Sequence, residues 1–323
     1  MKYWFSTEDL STFRSALMGE AILWIMMYHF AFVQINPVGH IAQYGFAGVE
    51  IFLLVSGLGI YFSLEKSKSV LQFYKKRIIR IFPIYYFIGF FDSCFVFHDD
   101  MLEYLIRYST IGFWTGGLYA DWYIPSLILL YILSPIIKKL IESKRFYVLG
   151  SLLLLFILFS FLMADNDSAI DRAHFFLLYR IPAFVVGMAC AYLLKERRKS
   201  HFFYILCLVG VPIFIMLFNQ YNIIYNYKFF SFLFLSPLVI LLFTYPPRIP
   251  FVNSFFSIMG EASLEIYLVQ GIFYHLILFN LLVIPPEIHD IIAIGLIIVC
   301  SVLGIIIHKA SSNIQLFLNR IRV

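Results

Sequence analysis

Apolar runs about 20 residues long, parted by short charged connections, recur from end to end of this 323-residue chain. Ten runs stand out, at 13–33, 45–64, 78–97, 122–141, 146–163, 174–194, 201–219, 228–245, 259–283 and 289–309. At about 1.5 Å of rise per residue, each is long enough as a helix to cross roughly 30 Å of hydrocarbon. Strand-period alternation is absent, which argues against a barrel. The pattern predicts an all-α fold: one polytopic transmembrane helix bundle of about ten spans, forming a single domain over 1–323. The first run has no charged leader followed by a small-residue cleavage site, so it is expected to be retained as a signal anchor.

Charge then orients the spans. Basic residues crowd alternate connections: Lys66, Lys68, Lys75, Lys76, Arg77 and Arg80, then Lys138, Lys139, Lys144 and Arg145, then Lys195, Arg197, Arg198 and Lys199. Arg248, Lys309, Arg320 and Arg322 continue the series. The intervening connections are acidic where charged: Asp99, Asp100, Glu103 and Asp121, then Asp165, Asp167 and Asp171. Positive residues stay on the cytoplasmic side, so both termini are expected inside. The connection 98–121 reads as an amphipathic loop wetted on one side, with a half-helix in the interface or a segment dipping back into the membrane as the alternatives. Segments 65–76 and 311–323 read as interfacial helices on the inner face.

Composition agrees. With 62% hydrophobic residues, 13% charged and a mean hydropathy of +0.87, the chain leaves too little polar surface for a soluble domain. The net charge of +5 follows from this topology and calls for no nucleic-acid partner. Cys94, Cys190, Cys207 and Cys300 lie in apolar runs without a CxxC pair, so neither a disulfide framework nor a metal site is read from them.

Depth sorts the ionisable residues into two layers. Arg14 starts the first span at the cytoplasmic edge, and His29, 15 residues on, lies about 22 Å farther out. Glu50 in the second span and Arg180 near the start of the sixth share that outer half, as do Asp121 and Trp122. Arg77 and Arg80 enter the third span at the inner face, three positions apart and therefore on one side of the helix. Ionisable groups at such depths are expensive and usually functional. Cations at an inner mouth suit the phosphates of an anionic donor. A histidine farther out suits a general base toward a hydroxyl arriving from outside, with Glu50 placed to orient the imidazole. Coenzyme A fits this separation, because its charged nucleotide and reactive thioester lie at opposite ends of a long arm. The expectation is acyl transfer across the membrane. Bland readings stand beside the sharp ones. Positive-inside topology alone accounts for Arg77 and Arg80, an aromatic belt for Trp122 and Tyr123, and small-residue helix packing for Ser56-Gly57. Packing polars account for Glu265 and His275, and an exposed loop cluster for His98, Asp99 and Asp100.

The segments in order resemble the acyltransferase-3 family, multi-pass membrane O-acyltransferases that decorate bacterial glycans. Phe13-Arg14-Ser15-Ala16-Leu17-Met18-Gly19-Glu20 followed by Tyr28-His29-Phe30 is similar to the arginine-then-histidine signature of that family's first helix. Gly48-Val49-Glu50-Ile51-Phe52 with Ser56-Gly57 resembles its second-helix pattern, and Arg77-Ile78-Ile79-Arg80 with Pro83 and Tyr85 its paired-arginine motif. Trp122-Tyr123-Ile124-Pro125, Arg180-Ile181-Pro182-Ala183-Phe184 with Gly187, and Gly260-Glu261-Ala262-Ser263 with Tyr267-Leu268 resemble later landmarks. The resemblance implies His29 as catalytic base and Arg14, Arg77 and Arg80 as ligands of the donor. That donor is usually acetyl-coenzyme A, a co-substrate rather than a resident cofactor. Trp122 and Arg180 are expected on the acceptor side. Two positions depart from the pattern: Met18 stands where many members have the arginine, and Gln270 where many have a histidine. A fused extracytoplasmic domain is not expected, so spans and outer loops would recognise the acceptor. The implied partners are acyl-coenzyme A, a cell-envelope or exported carbohydrate, membrane lipids and envelope-glycan assembly proteins, in a bacterial cell membrane. The alternative from another class is a transporter or flippase for a lipid-linked glycan.

Overall fold

A computed structural model describes residues 7–30, 38–163, 177–196, 202–219 and 227–321. Among the described residues there is helix and connection but no strand. In chain order the helices are α1 (Thr7–Thr12), α2 (Arg14–His29), α3 (Val38–Ala42), α4 (Gly48–Glu65), α5 (Val70–Asp92), α6 (Met101–Tyr108), α7 (Ile111–Thr115), α8 (Tyr123–Glu142), α9 (Phe146–Met163), α10 (Ile181–Lys195), α11 (Phe202–Phe218), α12 (Tyr227–Phe243), α13 (Pro250–Glu261), α14 (Ser263–Leu278) and α15 (His289–Ile321). Among the described residues, five helical stretches are long and apolar enough to cross a membrane: Gly45–Glu65, Val70–Phe97, Tyr123–Glu142, Ser231–Arg248 and His289–Asn313.

Several boundaries differ from the sequence reading. The helix of the third span, α5, starts at Val70 rather than 78, because Lys75, Lys76 and Arg77 sit on exposed or half-buried positions while Phe73 on the same turn is buried. Only a short turn, and no separate interfacial helix, therefore joins α4 to α5. The apolar stretch 259–283 is broken at Ala262, whose backbone (φ −91°, ψ 8°) ends α13 and starts α14. Helix α15 runs unbroken to Ile321, so 311–321 continues it rather than forming a separate interfacial helix. Connection 98–121 folds into α6 and α7 rather than a plain loop. The acidic residues Asp165, Asp167 and Asp171, the basic run 197–199 and Arg322 lie outside the described residues.

The chain divides into two interleaved units. The first holds residues 1–14, 49–78 and 109–245. Here α4 crosses α10 through reciprocal glycines: a Cβ at Gly57 would stand 2.1 Å from the Phe184 carbonyl oxygen, and one at Gly187 would stand 1.9 Å from that of Leu54. Small residues let helix backbones meet where lipid supplies no hydrophobic drive, which is the packing role read for Ser56-Gly57. At one end of these helices Lys138 bridges Glu65 (2.6 Å) and Glu142 (2.9 Å), Lys195 meets Glu65 (2.8 Å), and the Tyr61 hydroxyl donates to Glu142 (2.8 Å).

The second unit holds residues 15–48, 79–108 and 246–323. Helix α2 packs against α13 at Gly19 and Gly260, where added Cβ atoms would lie 1.9 Å from the Phe256 oxygen and 1.7 Å from the Ser15 oxygen. Helix α5 ends in a π turn, Ser93–Phe97, and the chain reverses at His98 (φ 54°). The next residues are pinned rather than loose. Arg107 donates to both Asp99 oxygens (2.6 and 2.7 Å) and lies 3.8 Å from the Phe97 ring centre, and Ser93 donates to Asp99 (2.8 Å). Asp99 is thus an anchored residue, not part of an exposed cluster.

Candidate active site

In the second unit, α2 ends on His29. The ring Nδ1 lies 3.0 Å from the side-chain amide of Gln270, and the Tyr274 ring packs on the imidazole at 4.6 Å between centres, tilted by 32°. Positions four apart on a helix share a face, so α14 fixes both the edge and the face of the ring. Gln270 is fully buried, and its Oε1 has no hydrogen-bond partner.

The next residue of α14 brings a second polar cluster. His275 Nδ1 lies 3.0 and 3.2 Å from the two oxygens of buried Asp92, which also accepts the Tyr108 hydroxyl at 2.8 Å. Phe97 and Phe279 pack around the His275 ring. Asp92 escaped sequence analysis; its one visible signal was an acid inside the apolar stretch Phe90-Phe91-Asp92-Ser93. Glu20 escaped likewise. It is buried in α2 and neither oxygen has a partner.

Arg80 also belongs to the second unit. Its guanidinium grips Glu265 at 2.8 and 3.3 Å, and that carboxylate, 0% exposed, also meets His308 Nδ1 at 3.2 Å. Arg80 Nη2 further donates to the Glu261 carbonyl at 3.4 Å. A fork-to-fork pair of this kind is among the stronger polar contacts available. Much of Arg80's hydrogen-bonding capacity is therefore committed within the protein.

The first unit holds Arg14 and Arg77. The Arg14 guanidinium lies over Gly59, where a Cβ would stand 2.7 Å from Nη2, so glycine there makes room for it. Arg77 donates from Nη2 to Ser63 Oγ at 2.5 Å and lies 5.4 Å from the Phe73 ring centre and 5.7 Å from that of Tyr131, with Nε unpaired. Arg14 and Arg77 are close enough for their charges to act on one another. Neither forms an ion pair with a carboxylate of a described residue. Two neighbouring cations without an acid between them repel, and an anion placed there relieves the repulsion.

The same unit holds the residues expected on the acceptor side. Arg180, 2% exposed, donates from Nε to Glu50 (3.0 Å) and lies between the rings of Trp122 (4.8 Å) and Tyr179 (4.7 Å). Glu50 was expected to orient the imidazole. Its bond here is to Arg180, which leaves Oε2 without a hydrogen bond, and the side chain that meets the His29 ring is Gln270.

Comparison with known proteins agrees with the motifs. A family model described as "Acyltransferase domain", that of the acyltransferase-3 family, matches residues 19–309. The chain is 29% identical over 184 residues to a protein of Acidianus two-tailed virus named "Putative acetyltransferase ORF330", an alignment covering 52% of each. The chain thus spans about half the length of that relative. No solved structure matches.

Proposed function

The chain belongs to the acyltransferase-3 family, and from that premise we propose that it is a membrane O-acyltransferase. It moves an acyl group, acetyl in the simplest case, from cytoplasmic acyl-coenzyme A to a hydroxyl of a cell-envelope or exported carbohydrate. The observation that carries the reading is the Arg14–Arg77 pair, two adjacent guanidiniums without a carboxylate partner among the described residues. Phosphates of the donor satisfy them. Arg80 offers the donor only the N–H groups that Glu265 leaves.

His29 is the general base of this reading. The acceptor oxygen forms its bond to the acyl carbon as its proton passes to the imidazole, the carbon–sulfur bond breaks, and the departing thiolate takes up a proton. Trp122 and Arg180, with Glu50 held by Arg180, serve the acceptor. The topology that goes with the reading is ten crossings with both termini cytoplasmic, as the alternating basic and acidic connections require.

The test is acetyl transfer in cells. The bound acetyl of envelope glycans, released by alkali and measured with and without the gene, is expected to fall when the gene is lost and to stay low with His29→Ala expressed at the wild-type level. Full acetylation with His29→Ala would remove the histidine from the chemistry. No change on loss of the gene, together with no binding of acetyl-coenzyme A to purified protein, would favour transport of a lipid-linked glycan.

A further inference from the structure

We infer that Gln270 is the positioning residue that fixes the tautomer of His29, holding the proton on Nδ1 so that Nε2 is the nitrogen that acts as base. The inference rests on the proposed role of His29 and goes beyond it in naming the working nitrogen and what selects it.

The contact is one amide group 3.0 Å from Nδ1, on a fully buried side chain. The oxygen and nitrogen of an amide have nearly the same shape, so the group can offer the ring either a donor or an acceptor. With nitrogen toward the ring, Nδ1 must accept, the proton sits on Nε2, and the ring has no free lone pair for a substrate hydroxyl. Turned over about its terminal bond, the amide accepts from Nδ1–H at the same separation, and Nε2 is free. In either orientation the outward atom of the amide is buried without a hydrogen-bond partner among the described residues, so the ring decides between the two.

Only the second orientation survives a turnover. Once His29 takes a proton, both ring nitrogens are donors, and an amide N–H facing Nδ1 would leave two donors opposed in a buried place. The carbonyl alone can face Nδ1 both before and after the proton arrives. An amide also holds the ring without adding charge, unlike the carboxylate that Asp92 presents to His275. Tyr274, one turn along α14, packs on the ring and limits its rotation.

Nitrogen-15 magnetic resonance on full-length protein with labelled histidine, reconstituted in lipid, reads the tautomer directly; the His29 signals are those lost in His29→Ala. The expected wild-type spectrum has a protonated Nδ1 and a bare Nε2, and in Gln270→Met the population shifts toward protonated Nε2. A wild-type ring protonated on Nε2, or identical spectra in the two proteins, would overturn the inference.

Activity gives a second arm. Gln270→Met is expected to lower kcat roughly 10- to 100-fold with KM unchanged. Gln270→Glu should move the acid limb of the rate profile to higher pH, because a carboxylate stabilises the imidazolium. Among the described residues the other titratable groups around the ring are Tyr28 on α2, Tyr274 and His275 on α14, and Asp92 behind His275; these variants leave all of them in place. The shift in Gln270→Glu shows that the side chain at position 270 faces the ring in the working enzyme, and the fall in kcat of Gln270→Met at constant KM is the readout that a residue which only filled space would not move. If His29→Ala retains transfer, the catalytic reading falls while the spectra still decide the tautomer. If His29→Ala is inactive and Gln270→Met keeps wild-type kcat and pH profile, the role of Gln270 falls alone.

Discussion

Arg77 and Arg80 stand less than one turn apart on α5, inside one short motif, and their surroundings could hardly differ more. Arg80 grips a carboxylate sealed from solvent, with a histidine on its far side. Arg77 rests on a hydroxyl and two aromatic rings, close to Arg14, with no acid of its own among the described residues. The unit boundary falls between them, at Ile78 and Ile79. A motif fixes where cations occur along the helix; their neighbours decide which charge is left over for a ligand. On the proposed function, Arg77 is the cation left to meet a donor phosphate. Arg80 spends much of its own charge on holding the fold.

The largest effect expected from this contrast is on stability. Removing Arg80 leaves the fully buried Glu265 carboxylate with His308 as its remaining partner, and stranding a buried polar group costs about 1–3 kcal/mol. Arg80→Ala should therefore lower the melting temperature sharply in detergent, and Arg80→Ala/Glu265→Gln should recover much of the loss. Equal melting of Arg80→Ala and wild type would show that the pair carries little. The next effect is on binding. Arg77→Ala should melt near wild type yet weaken acetyl-coenzyme A binding roughly 10- to 100-fold, the worth of one charge-assisted contact. Unchanged affinity would end the contrast from the other side.

Glu20 extends the comparison to an acid with no hydrogen-bond partner among the described residues. A carboxyl without hydrogen bonds in a buried site gains nothing from its charge, so Glu20→Gln should be neutral or slightly stabilising in a thermal melt. Strong destabilisation would mean that the negative charge is in use. Asp99, outside the long helices, is an acid whose charge is in use. Hydrogen bonds from Arg107, with help from Ser93, hold its carboxyl below the usual range against the opposing effect of burial. Its contribution is fully present above the ordinary carboxylate range and is lost as pH falls through the depressed value. Asp99→Asn should melt slightly below wild type at neutral pH, and the gap should close on acidification.

The helices were largely legible because lipid-length apolar runs have one stable conformation. The runs 122–141, 146–163 and 201–219 fall within a residue or so of α8, α9 and α11. The break at Ala262 was not legible, since Gly260-Glu261-Ala262-Ser263 reads as one more apolar segment with a polar notch. Partners were not legible either. Glu50 bonds Arg180 from 130 positions away and Arg80 bonds Glu265 from 185, and no spacing rule reaches so far. Gln270 was visible as a departure from a motif, but only the fold brings it to the His29 ring.

Equilibrium binding of radiolabelled acetyl-coenzyme A to the purified full-length chain tests the central claim most directly. Wild type is expected to bind saturably, Arg77→Ala to lose most of that binding, and the double variant Arg80→Ala/Glu265→Gln to keep most of it. Absence of saturable binding by the wild type, or equal binding by Arg77→Ala, would contradict the account.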